Sequence, residues 1–142
     1  MTIAAILEKK GGEVIALDSR ATVRDAVRLL AERRIGAVVV TDGAEPAGML
    51  SERDIVYCLA AEGAGVLDMP VTRVMTAPAV TVEKSVSALA ALSSMSKRRI
   101  RHLPVVEDGA LVGLVSIGDL VAYRIRRIEE EAEAMRDYIQ NA

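Results

Sequence analysis

Two stretches set a hydroxyl three residues before a carboxylate: Ser51-x-x-Asp54 and Ser116-x-x-Asp119. Such a pair suits the start of a helix, where the hydroxyl caps a first-turn amide and the acid can reach back to the cap. The reciprocal box favours Glu or Gln, and Asp is one methylene shorter, so the spacing predicts an acid with work beyond capping. First-turn amides also attract anions, and the serine hydroxyl can join them on a phosphate. Little else in the chain could carry catalysis. His102 and Cys58 are the lone His and Cys and stand far apart, with no P-loop or GxGxxG and no second carboxylate paired with either Asp. No metal-ligand set surrounds His102. The residues therefore predict a protein that is not an enzyme and holds no metal.

The elements that position these pairs are themselves duplicated. Sliding the chain by 65 residues aligns 14–56 with 79–121 without a gap. Arg33-Arg34-Ile35 then falls on Arg98-Arg99-Ile100, and Gly48, Ser51 and Asp54 fall on Gly113, Ser116 and Asp119. Upstream, Ile3, Ile6 and Leu7 match Val71, Val74 and Met75 once three extra residues are allowed around Lys9–Gly11. Each copy reads as an extended run (EVIAL, AVTVE), a helix capped by Thr22 or by Ser85 or Ser87, and a β-branched strand (AVVVT, LPVVE). A turn at an Asp-Gly pair, a returning strand and a second helix follow. A unit of about 60 residues leaves a sheet face exposed, and two units packed face to face cover it for both. The expectation is an α/β fold of two β-α-β-β-α repeats with pseudo-twofold symmetry, spanning 1–66 and 67–122, with an extended C-terminal helix over 123–142.

RIGAVVV and RIRHLPVV before the hairpins, GMLSERD and GLVSIGD after them, and VTRVMTAPAVTV opening the second copy give the chain a family likeness. It resembles a tandem cystathionine-β-synthase (CBS) domain pair, or Bateman module, and a stand-alone module is expected. The resemblance implies a regulatory sensor of adenosine-containing ligands: AMP, ADP, ATP, NAD or S-adenosylmethionine. It assigns Asp54 and Asp119 to a ribose diol, with Ser51 and Ser116 beside the phosphate.

The two clefts so implied differ in their charges. At the first, Gly36 and Ala37 precede the strand and Arg53 adjoins Asp54; at the second, Arg101 and His102 hold the matching strand positions and Gly118 replaces Arg53. By resemblance, residues just before the strand lie near the phosphates. Adenine is expected against Ile15 and Ala16 in one cleft and against Pro78, Val80 and Pro104 in the other, with Thr76 also in the ligand set. No catalytic cofactor is implied.

Composition narrows the partners. The 142 residues carry 18 basic and 20 acidic side chains, a net charge of −2, with no Phe or Trp and three Tyr. That balance, without aromatic stacking platforms, speaks against nucleic acid despite the KRRIRH cluster at 97–102. A lone Cys58 excludes an internal disulfide and suggests a reducing compartment. With no signal peptide and no apolar run near the ~20 residues of a membrane span, a cytoplasmic protein is expected.

Beyond the repeats, Val121, Ile125, Ile128, Ala132, Met135 and Ile139 are spaced 4, 3, 4, 3, 4, a heptad seam. Arg124, Arg126 and Arg127 precede Glu129, Glu130, Glu131 and Glu133, an order that an antiparallel second copy would complement. The seam predicts a homodimer. The sequence thus predicts an adenosine-ligand sensor signalling to an unidentified regulated protein. A dimerisation adaptor without ligand is the alternative, and a nucleic-acid-binding protein the lesser one.

Overall fold

The computed structural model describes residues 1–11 and 13–141. In the first repeat, β1 (Ala16–Asp18), α2 (Val23–Arg33), β2 (Ala37–Asp42), β3 (Glu45–Ser51) and α3 (Glu52–Glu62) follow the expected order. In the second, β4 (Val82–Glu83), α4 (Ala88–Arg98), β5 (His102–Glu107), β6 (Ala110–Ser116) and α5 (Ile117–Gln140) do the same. Outside that order lie α1 (Ile3–Lys10) and two short 3₁₀ turns, Ala64–Asp68 and Val71–Arg73. Each sheet has three strands, the first pairing parallel with the second across a crossover helix and the second antiparallel with the third. Both hairpins carry an irregularity at equivalent places, Val40/Thr41 and Val105/Val106. The fold is the expected α/β arrangement of two β-α-β-β-α repeats with a long C-terminal helix. The last residue of the 123–142 segment lies outside the described residues.

The repeated local signals have local causes. Thr22 caps α2 and Ser87, of the two candidate serines, caps α4. Arg-Arg-Ile ends each helix: Arg34 and Arg99 turn left-handed (φ 53° and 56°), and the amides of Ile35 and Ile100 donate back to the carbonyls of Leu30 and Met95. Asp108-Gly109 has positive φ at both residues, the conformation a two-residue hairpin needs to match strand twist.

The cores do not follow the order of the chain. Ile3 and Ile6 of α1 are buried with Ala91, Met95, Leu103, Val105, Val115 and Leu120 of the second repeat and with Tyr123 of α5. Val71 and Val74 are buried with Val23, Ala26, Leu30, Val38, Val40, Leu50 and Ile55 of the first. Each repeat's lead segment therefore completes the other's core. Backbone bonds fix the exchange: the Ile3 amide donates to Val86, and the Val71 amide to Ala21. Gly48 and Gly113 permit the close approach of these segments. A Cβ on Gly48 would meet Met75 and Thr76, and one on Gly113 would meet Leu7.

Candidate functional site: two clefts between the repeats

Both Ser-x-x-Asp pairs close a full capping box. Ser51 Oγ accepts from the Asp54 amide at 3.1 Å while Asp54 Oδ2 accepts from the Ser51 amide at 3.0 Å. The Ser116 and Asp119 distances are 3.1 and 2.8 Å. Thr22 and Asp25 form a third such box. Asp is therefore long enough, contrary to the sequence-based argument. With each cap residue in extended backbone (φ −108° and −104°), its own amide is within reach of the shorter carboxylate. Only Oδ2 is engaged; Oδ1 of Asp54 and Asp119 accepts no hydrogen bond among the described residues.

The first cleft, of about 380 Å³, opens at the N-terminus of α3. Ser51, Arg53 and Asp54 come from the start of that helix, and Gly36 and Ala37 from the entry to β2. The far wall is supplied by the other repeat: Thr76, Pro78 and Val80 from the segment leading into β4, and Arg99, Arg101 and His102 from the entry to β5. The cations expected in separate clefts, Arg53 in one and Arg101 with His102 in the other, meet in this one. Arg53, Arg99 and Arg101 make no ion pair among the described residues. The cavity is thus lined by three arginines, by Glu52 and Asp54, by a helix N-terminus and by an apolar wall.

The second cleft, about 310 Å³, is related by the pseudo-twofold and takes its apolar wall from Ile15 and Val14 of the first repeat, opposite Ser116. Gly36, Ala37 and His102 line both cavities, so the entries to β2 and β5 form the partition between them. Ala16, Pro104 and Gly118 line neither cavity: Ala16 faces Val39 in register, Pro104 faces Leu114, and Gly118 sits in the first turn of α5. Asp119 is not among the lining residues, but Lys10, which is, reaches it at 2.8 Å.

Lys10, Arg99 and Glu52 are site residues that motif reasoning missed. Lys10 sits within the Lys9–Gly11 insertion that the repeat alignment exposes. Arg99 is half of the repeated Arg-Arg-Ile helix stop, and its side chain doubles as cavity wall.

The ion pair and burial together set the local ionisation. Burial pushes the Asp119 carboxyl up, but hydrogen bonds from Lys10 and the Ser116 amide, with the Lys10 charge, outweigh it and hold the group below the usual carboxylate value. Burial, then the Lys10 charge, lowers His102 below an ordinary histidine; Asp119 opposes this and Arg101 adds to it. Among the described residues no group of three or more His, Cys, Asp or Glu gathers as a metal-ligand set, and no helix is long and apolar enough to cross a membrane.

Comparison with known proteins places this architecture. The CBS domain family model matches residues 7–61 and 71–126. The CBS domain-containing protein CBSX3, mitochondrial, of Arabidopsis thaliana is 32% identical over 98% of this chain and 72% of its own length. The chain spans only 22–23% of five longer CBS domain-containing proteins of that plant. A CBS-domain containing protein from Agrobacterium tumefaciens superposes with a TM-score of 0.81 at 34% identity, covering 87% of this chain and 99% of that one. A CBS domain protein from Pyrobaculum aerophilum, solved in complex with AMP, gives 0.75 at 31%, covering 84% and 89%. With the family model matched twice along its length and the fold shared with these relatives, the chain belongs to the CBS domain family as a tandem pair.

Proposed function

We propose that this protein is a regulatory sensor that binds an adenosine-containing ligand between its repeats and signals the bound state to another protein. The observation that carries the reading is the first cleft. It sets the Asp54 carboxylate and the α3 amides, with Arg53, Arg99 and Arg101, opposite the apolar wall of Pro78 and Val80. A carboxylate oxygen free of other bonds suits a ribose diol. Three guanidiniums and a helix N-terminus suit phosphate. Aliphatic walls suit a flat base in a chain that has no Phe or Trp. The AMP bound by the Pyrobaculum relative supports the same ligand class.

In this reading the protein binds rather than catalyses, with AMP, ATP, NAD and S-adenosylmethionine as the candidate ligands and the cytoplasm as its place of action. The exposed seam of α5 carries homodimerisation. Ligand held between the repeats draws on both, so closure shifts one against the other and reaches the helix that leaves the second. Isothermal titration of the folded, nucleotide-free protein with these four compounds tests it. Saturable micromolar binding of one of them is expected; silence from all four replaces the sensor with a ligand-free dimerisation adaptor.

A further inference from the structure

We propose that Lys10 is the residue that makes the two clefts unequal: it occupies the nucleoside-facing edge of the second and leaves the first open. The inference rests on the proposed ribose role of the two aspartates. At the first cleft, the carbonyl of Met49 on β3 accepts from the Thr76 amide at 2.8 Å, so the lead segment itself pairs with the strand edge. The equivalent carbonyl at the second cleft, Leu114 on β6, accepts instead from Lys10 Nζ at 2.8 Å. The same ammonium donates to Asp119 Oδ2 at 2.8 Å, whereas Asp54 meets only its own capping partner among the described residues.

The source of the difference is the insertion. Three extra residues around Lys9–Gly11 have no counterpart in the second repeat, and α1 runs on to Lys10 before Gly11 ends it. One side chain thus ties the β6 edge to the N-terminus of α5 and neutralises the carboxylate there. The Asp119 end is part-buried, at 25% exposed, and the Lys10 end lies at the surface, at 38%, so water screens the pair and the carbonyl of Leu114 fixes the ammonium as its second partner. A ribose diol entering the second cleft meets a carboxylate already paired with the Lys10 ammonium; one entering the first meets a carboxylate with no ion pair among the described residues.

The test is stoichiometry. AMP is titrated calorimetrically into the wild type, Lys10→Met, Lys10→Arg and the double variant Lys10→Met/Asp119→Ala, each checked by circular dichroism for native fold. One AMP per chain is expected for the wild type, two for Lys10→Met, one again for Lys10→Arg, which keeps the cation, and one for the double variant, which loses the carboxylate. Two AMP per wild-type chain, or one in Lys10→Met, overturns the latch while leaving the adenosine reading standing. Weaker second-cleft binding on removal of Lys10 makes it a phosphate ligand and also overturns it. Absence of AMP binding in the wild type and Lys10→Met alike removes the AMP reading and the latch together.

Discussion

The Cβ that Gly48 lacks would stand 2.7 Å from the Thr76 carbonyl oxygen and 2.7 Å from the Met75 sulfur, whereas that of Gly113 would meet only the methyls of Leu7, at 2.8 Å. The two glycines are equivalent in sequence, yet one faces backbone and the other a flexible side chain. Gly48→Ala must push the strand edge off the crossing segment, at about 1–3 kcal/mol, the range for overpacking. Gly113→Ala is absorbed by rotation of Leu7 and costs less. Chemical denaturation of both variants checks the order, and equal costs would refute this account of the motif.

Asp119 is expected to give the fold an acid response. Asp119 has a folded-state pKa below its unfolded value of about 3.9. Its contribution is complete above that value and lost as pH falls through the folded pKa. Lys10→Met removes the ammonium that sustains the shift, so its acid transition moves to higher pH than that of the wild type. Replacing Asp119 by Ala costs about 0.5–1.5 kcal/mol for the returned cap bond, with the lysine contact in addition. Asp54→Ala loses the cap bond alone. Chemical denaturation at pH 7 ranks the two Ala variants, and melting curves of the wild type and Lys10→Met between pH 3 and 7 read the acid shift.

His102 gives a second pH response. Burial, with Lys10 and Arg101, depresses its pKa in the folded state, so below about 6.5 the unfolded chain takes the proton first. Stability attributable to this residue is present above that pH and declines as the medium is acidified. Substituting His102→Gln flattens the dependence between pH 7.5 and 5. A wild type whose melting temperature is no more pH-sensitive than the variant would contradict the burial seen at the shared partition.

The C-terminal helix carries an apolar seam that its own fold does not cover. Ile125, Ile128, Met135 and Ile139 are 49–66% exposed, and Val56 and Tyr57 of α3 are exposed as well. Within the helix, Arg127 already reaches Glu130 and Glu131, at 3.9 and 3.8 Å. Placing charge in the seam with Ile125→Glu/Ile128→Glu is expected to convert a two-chain particle into one chain, read by light scattering after gel filtration. A wild type of single-chain mass would end the dimer proposal.

Much of this architecture was legible in the sequence because its causes are local. The capping residues and the Asp-Gly turn depend on neighbours within a few positions, and each is found where the pattern puts it. The spacing of Ser and Asp marked two helix starts, although Asp54 and Asp119 reach their caps more readily than their length suggested. Tertiary structure decided what those starts face. Only the crossing of the lead segments sends Ile3 into the second core and Val71 into the first. The packing of the two repeats brings Val80, Arg99 and Arg101 to the cleft of Asp54, and the crossing of α1 brings Lys10 to Asp119 across 109 positions of sequence. A periodic pattern specifies that an apolar face must be buried, not which of two nearly identical repeats will bury it. The choice belongs to the packing of both at once.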